Sequence, residues 1–296
     1  MTDFDGVTLL DGGMGQELVR RSRLGPTPLW SSRVLLDEPD LVEQLHFEFI
    51  EAGADILTVS SYAATPTRLA RDGAPEMFEP VQRAALTAAE SARARSDRPI
   101  RLAGCLPPLV ASYHADLARP YARAVPEYRR IAAVQAPHVD LFLCETMGSA
   151  SEAAAATDAG VETGLPVWTA LTVRDADGSK LRSGEPVTVG AEAALAAGAD
   201  AVLINCSTPE AVSVGLGALA AAGLETRLGG YANGFVRADA LAAGGTVEVL
   251  EARTDLSPAA YAGFALDWAR TGARIVGGCC EVGPRHIAEI ARQMRG

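Results

Sequence analysis

Short apolar runs alternate with alanine-rich helical stretches eight times along the chain, and few folds accommodate that rhythm. The expected strands are Thr8–Leu10, Asp55–Val59, Arg101–Gly104, Leu141–Cys144, Val167–Leu171, Ala201–Asn205, Arg227–Tyr231 and Arg274–Val276. Several are continuously apolar rather than alternating, the pattern of parallel strands covered on both faces. The intervening helical stretches are Pro39–Ala52, capped by Asp37 or Asp40, then Pro75–Ala94, Tyr121–Gln135, Ser151–Thr163, Ala191–Ala197, Pro209–Ala222 and Pro258–Thr271; Pro284–Met294 follows the last strand. Three helices end in similar turns, Gly53-Ala54-Asp55, Gly198-Ala199-Asp200 and Gly272-Ala273-Arg274, where glycine meets the left-handed demand of a helix C-terminus. In 296 residues, this predicts an α/β fold: a single-domain (β/α)8 TIM barrel spanning 1–296. An open doubly wound sheet is the runner-up, weakened because no G-x-G-x-x-G follows a strand. Thr172–Val189 is polar and turn-rich, which predicts a loop or short hairpin above the fifth strand, and Thr246–Pro258 reads as a second long connection.

The formal net charge of −11 argues against nucleic acid or an anionic membrane surface as the main partner. No apolar run is long enough to span a bilayer, and the first residues lack a secretory pattern. Five cysteines without framework spacing point to a reducing compartment, the cytoplasm. The alanine-rich helices would admit a homo-oligomer without identifying an interface.

Three of those cysteines stand at strand ends, Cys206 after Asn205 and the adjacent pair Cys279-Cys280 after Gly277-Gly278. Neighbouring cysteines do not readily join in a disulfide, but they can share one metal ion with a third thiolate, leaving a fourth position open. Three thiolates on a zinc dication leave a net negative, electron-rich centre, a poor activator of water and a good partner for an incoming thiol. The four histidines show no ligand spacing. Cys105 and Cys144 read as packing residues, with Cys144 facing away from Glu145 by strand alternation. Asp11 and Glu145, also at strand ends, suit the ammonium of an amino acid, and the amides near Gly12, Gly13 and Thr58–Ser61 suit its carboxylate. The alternative roles are structural: Asp11 capping a turn, Glu145 capping the following helix through its neighbours Thr146 and Ser149, and Asn205 and Asn233 satisfying the loop backbone.

Taken together, Leu10-Asp11-Gly12-Gly13-Met14-Gly15, Leu29-Trp30-Ser31, Gly53-Ala54-Asp55, Ser60-Ser61-Tyr62, Glu145-Thr146, Asn205-Cys206-Ser207, Tyr231-Ala232-Asn233-Gly234 and Gly277-Gly278-Cys279-Cys280 with Pro284-Arg285-His286-Ile287 make a sequence that resembles the homocysteine S-methyltransferase family along nearly its full length. The resemblance implies a zinc-dependent barrel enzyme that methylates L-homocysteine to methionine. It implies Cys206, Cys279 and Cys280 as zinc ligands, Asp11 and Glu145 at the homocysteine ammonium and Thr58 near its carboxylate. Gly12, Ser60, Tyr62, Asn233 and Trp30 complete the candidate substrate contacts. The Leu29–Arg33 and Ala63–Pro66 segments look most like the sulfonium-using branch, whose donor is S-methylmethionine or S-adenosylmethionine. Gly104-Cys105-Leu106-Pro107-Pro108-Leu109 departs from the glycine- and serine-rich turn of those members.

The expected chemistry is a direct in-line transfer from the donor to the acceptor sulfur, with Trp30 and Tyr62 as candidate aromatic faces for a cationic donor. Alternatives are betaine or another small methyl donor, selenocysteine or another small thiol as acceptor, or a non-catalytic metal-binding or redox-sensing protein.

Overall fold

The computed structural model describes residues 4–24, 30–238, 241 and 249–296. Eight parallel strands form one sheet: β1 (Thr8–Leu9), β2 (Ile56–Thr58), β3 (Arg101–Leu106), β4 (Leu141–Met147), β5 (Val167–Leu171), β8 (Ala201–Asn205), β9 (Arg227–Tyr231) and β10 (Ile275–Val276). Neighbours follow chain order around the sheet, and β1 pairs with β10. A bridge between Leu10 and Ile56 joins the two ends, so the sheet closes into the expected barrel. Two aspartates flank this seam. The Leu9 N–H donates to Asp55 Oδ2 (2.9 Å), and the Thr58 N–H donates to Asp11 Oδ2 (2.8 Å).

The strand period of two explains the two apolar layers. Leu10, Ile56, Leu141, Leu143, Trp168, Leu203 and Ile275 fill the barrel interior. Phe142, Cys144, Val202 and Ile204 face outward into the layer against the helices. That outer cover consists of α3 (Pro39–Glu51), α5 (Phe78–Ala94), α6 (Tyr121–Gln135), α7 (Ala150–Val161), α8 (Val187–Ala196), α9 (Pro209–Ala221), α10 (Pro258–Arg270) and α11 (Pro284–Arg295). Each of the three expected turn glycines, Gly53, Gly198 and Gly272, has positive φ (106°, 99° and 111°). Ser149, Thr208 and Ser257 follow strands and cap α7, α9 and α10 through their side chains.

Some elements differ from the sequence expectation. Neither Asp37 nor Asp40 caps α3; Glu38 holds that position without a side-chain bond, and Pro39 supplies the pre-set φ at the first turn. A 3₁₀ turn over Pro75–Met77 precedes α5, and α8 begins at Val187 rather than Ala191. Three short helices were not expected: α1 (Met14–Arg21), α2 (Trp30–Asp37) and α4 (Pro66–Arg71). The polar stretch after β5 is an antiparallel hairpin of β6 (Val173–Arg174) and β7 (Asp177–Leu181). Residues 246–248 of the expected second connection lie outside the described residues. No described helix is long and apolar enough to cross a membrane.

Candidate active site

The loops at the carboxyl ends of β8 and β10 bring three sulfurs together. Cys206 follows β8 and donates its N–H to Tyr231 O (3.2 Å), while the Cys279 N–H reaches Ala232 O (2.9 Å). The loop after β1 packs beneath the cysteine pair: a Cβ on Gly13 would come within 2.5 Å of Cys279 O, so only glycine permits this approach. The Sγ atoms of Cys206, Cys279 and Cys280 all lie within 4.8 Å of one another, and those of Cys206 and Cys279 are 3.1 Å apart. Hydrogen bonds from Cys279 and Cys280 hold the Cys206 thiol well below the ordinary range, with Tyr113 and Arg182 adding to the effect; the thiols of Cys279 and Cys280 are correspondingly raised. Sulfurs gathered this closely, one of them readily ionised, suit a soft metal cation.

Backbone strain concentrates here. Among the described residues, four non-glycines have positive φ: Tyr113, Thr146, Cys206 and Glu281. Cys206 is one of the sulfurs, Glu281 follows Cys280, Thr146 follows Glu145, and the Tyr113 hydroxyl lies 2.9 Å from Cys206 Sγ. A β-branched residue such as Thr146 is costly at a φ of 62°. Asn205 holds it there, accepting from the Thr146 N–H (3.0 Å) and donating to Thr146 Oγ1 (3.0 Å). Asn205 thus fixes the turn after Glu145 from the residue preceding Cys206.

Two carboxylates, the buried Asp11 and the half-buried Glu145, lie at the barrel mouth. Asp11 accepts from the Thr58 N–H and from Thr58 Oγ1 (3.2 Å). Glu145 accepts from the Cys105 thiol and the Tyr231 hydroxyl, each at 3.2 Å. Burial is the main cause that pushes Asp11 up to about 8, with the Glu145 charge adding to it. Burial likewise pushes Glu145 up to about 7. No ion pair satisfies either group among the described residues, so the pair favours an incoming cation.

The other expected contacts are placed as follows. Thr58 spends both its N–H and its hydroxyl on Asp11. Gly12 and Ser60 are half-buried beside these groups in sequence. The Tyr62 hydroxyl meets Ser112 Oγ at 2.9 Å, and the Arg68 guanidinium covers its ring at 5.2 Å. Asn233 is buried; its Oδ1 accepts from the Phe235 N–H while its Nδ2 has no partner. The side chain of Trp30 lies outside the described residues.

Three site residues were not anticipated. Cys105, read as packing, puts its thiol on Glu145, whereas Cys144 does face the outer layer. Tyr113 comes from the loop after β3. Arg182 follows β7 and lies over the Tyr113 ring at 5.0 Å. A buried bidentate pair with Asp175 fixes Arg182, both contacts being 3.2 Å. Asp175 also accepts from the N–H groups of Thr208 and Ala238, tying the hairpin to the segments after β8 and β9. Strand-end position was the available signal for Cys105; nothing in the local sequence marks the other two.

Fold and site define a barrel with a three-sulfur centre able to hold a metal ion and two carboxylates without ion-pair partners among the described residues. The chain belongs to the homocysteine S-methyltransferase family, whose family model matches residues 8–294. It is 28% identical to homocysteine S-methyltransferase 4 of Zea mays, over 98% of this chain and 90% of that one. It is 26% identical to a selenocysteine methyltransferase of Astragalus bisulcatus, over 98% and 94%. The metallated form of the homocysteine methyltransferase MmuM from Escherichia coli superposes with a TM-score of 0.81 at 25% identity, covering 98% of this chain and 97% of that one.

Proposed function

We propose that this enzyme moves a methyl group from a sulfonium donor, S-methylmethionine or S-adenosylmethionine, to the thiol of L-homocysteine, with zinc held by Cys206, Cys279 and Cys280. The observation that carries the reading is the juxtaposition of the three sulfurs with the unpaired Asp11 and Glu145 carboxylates. When bound, zinc supplies a Lewis acid that lowers the pKa of a thiol brought to it while leaving the sulfur nucleophilic.

The chain's own groups do the positioning. Asp11 and Glu145 take the amino-acid ammonium, and its charge draws both carboxyls toward ionisation. Thr58 orients Asp11, while Cys105 and Tyr231 orient Glu145. The acceptor thiol then points toward the cysteines because the ammonium end is pinned. Phe235, Leu241 and Leu250 form an apolar wall against Tyr113 and Cys280, keeping water from the side where charge is lost during transfer. We place the protein in the cytoplasm, where its five free cysteines stay reduced.

The test is methionine formation from homocysteine with S-methylmethionine, S-adenosylmethionine and betaine supplied separately, and with selenocysteine as a second acceptor. Turnover with a sulfonium and homocysteine is expected. A purified protein with bound zinc that used betaine alone would overturn the donor assignment.

A further inference from the structure

Strand β4 does not stay in register with β5 to its end. The pairing shifts between Cys144 and Met147, which leaves Glu145 and Thr146 outside the regular ladder. An irregularity of this kind re-aims a side chain, here the Glu145 carboxylate. Asn205 ends β8, on the far side of β5, and reaches across to the shifted segment. Its Oδ1 accepts from the Thr146 N–H and its Nδ2 donates to Thr146 Oγ1, both at 3.0 Å. Asn205 and Thr146 are 0% and 1% exposed, so water does not stand in for either bond when it is lost.

The two residues joined in this way each adjoin a different half of the site. Thr146 follows Glu145 and keeps a φ of 62°; Cys206 follows Asn205 and keeps one of 49°. A left-handed non-glycine relaxes to an ordinary conformation once its restraints are gone. The peptide plane between Asn205 and Cys206 ties their Cα atoms rigidly together. A backbone tilt that settles the Cys206 sulfur among Cys279 and Cys280 therefore displaces the carboxamide that holds Thr146. The turn after Glu145 is thus an element with two arrangements, one aiming the carboxylate while Asn205 is in place and one released, and both halves of the site bias it.

We propose that Asn205 is a positioning residue that couples the three-sulfur centre to the ammonium site: a metal on the sulfurs strengthens the grip on the amino-acid end of the acceptor, even for a molecule that does not touch the metal. The inference rests on the function proposed above and adds an order to it, since the amino-acid end becomes a good receptor once the metal is in place. Linkage makes the effect mutual and equal in size, so the amino acid also strengthens the hold on the metal.

The test uses L-α-aminobutyrate, which is homocysteine without its sulfur and so reaches the ammonium site without touching the metal. Its affinity is measured by calorimetry on the full-length protein, zinc-loaded and metal-free, and zinc affinity by chelator competition with and without it. Zinc should tighten the amino acid by about fivefold or more, the lower range of couplings between sites, and the amino acid should tighten zinc by the same factor. Asn205→Ala should bring that factor close to one. A second variant, Asn205→Ala with Thr146→Gly, guards against a chain that fails to fold: glycine takes the left-handed turn unaided, so the amino acid should still bind but without dependence on zinc. Equal affinity with and without zinc in the unsubstituted protein would overturn the inference. So would a factor that survives in both variants, the mark of charge acting through space, or one that persists while both ligands weaken, the mark of a merely structural asparagine. Binding of homocysteine but not of α-aminobutyrate would overturn it as well, since the ammonium end would then hold nothing on its own. A zinc-loaded protein that binds neither compound would overturn the amino-acid reading of the site itself.

Discussion

The Tyr113 hydroxyl lies 2.9 Å from the Cys206 sulfur, and behind its ring stands Arg182, locked to Asp175. A hydrogen bond to a thiolate ligand withdraws charge from it, and the nearby guanidinium acts in the same direction. Tyr113→Phe should therefore lower kcat/KM for homocysteine by about tenfold, the effect of one hydrogen bond to a charged group. Zinc stoichiometry should stay at one per chain. Steady-state kinetics alongside metal analysis checks both.

The Asp175–Arg182 pair is only 8% and 4% exposed, so removing one partner strands the other. Asp175→Ala should destabilise the protein by about 3–5 kcal/mol, and replacing both residues by apolar ones should recover much of that. Urea unfolding of the single and double variants measures the difference.

Asp11 and Glu145 give a pH dependence of known sign. Burial pushes the two carboxyls up to about 8 and about 7, above their ordinary values of 3.8 and 4.5, so between these limits the native state binds more protons than the unfolded one. Stability of the ligand-free protein should then fall as pH rises from 5 to 8, and Asp11→Asn should flatten the slope. Thermal midpoints across that range, with and without homocysteine, check this; the amino acid should offset the loss at high pH.

Removing one sulfur should empty the centre. Cys206→Ala is expected to lose bound zinc and methyl transfer together, because two remaining thiolates make a weak site. Full zinc and full activity in that variant would defeat the ligand assignment.

All eight barrel strands were legible because each is a short apolar run bounded by turn residues, a signal that burial on both faces imposes directly on composition. The three sulfurs and two carboxylates were legible for a related reason: a barrel sends every strand end to one face. Cys105 is buried as a packing residue would be, but its contact with Glu145 escaped because β3 continues two residues past the expected Gly104, which puts the thiol in a strand position beside β4. Tyr113 and Arg182 were beyond reach. Their places depend on how a loop and a hairpin lie across the barrel mouth, and Asp175 fixes that through contacts with segments after β8 and β9. The short helices α1 and α4 escaped because their few turns give little periodicity to read.

The ring of strands meets itself through one bridge, and the Asp11 carboxylate completes the join by accepting the Thr58 amide where another backbone carbonyl would otherwise serve. A cation settling on Asp11 therefore presses on the clasp of the whole cylinder. The Thr58 amide becomes a local gauge of occupancy, exchanging its proton with solvent at a rate set by what stands in the mouth of the barrel.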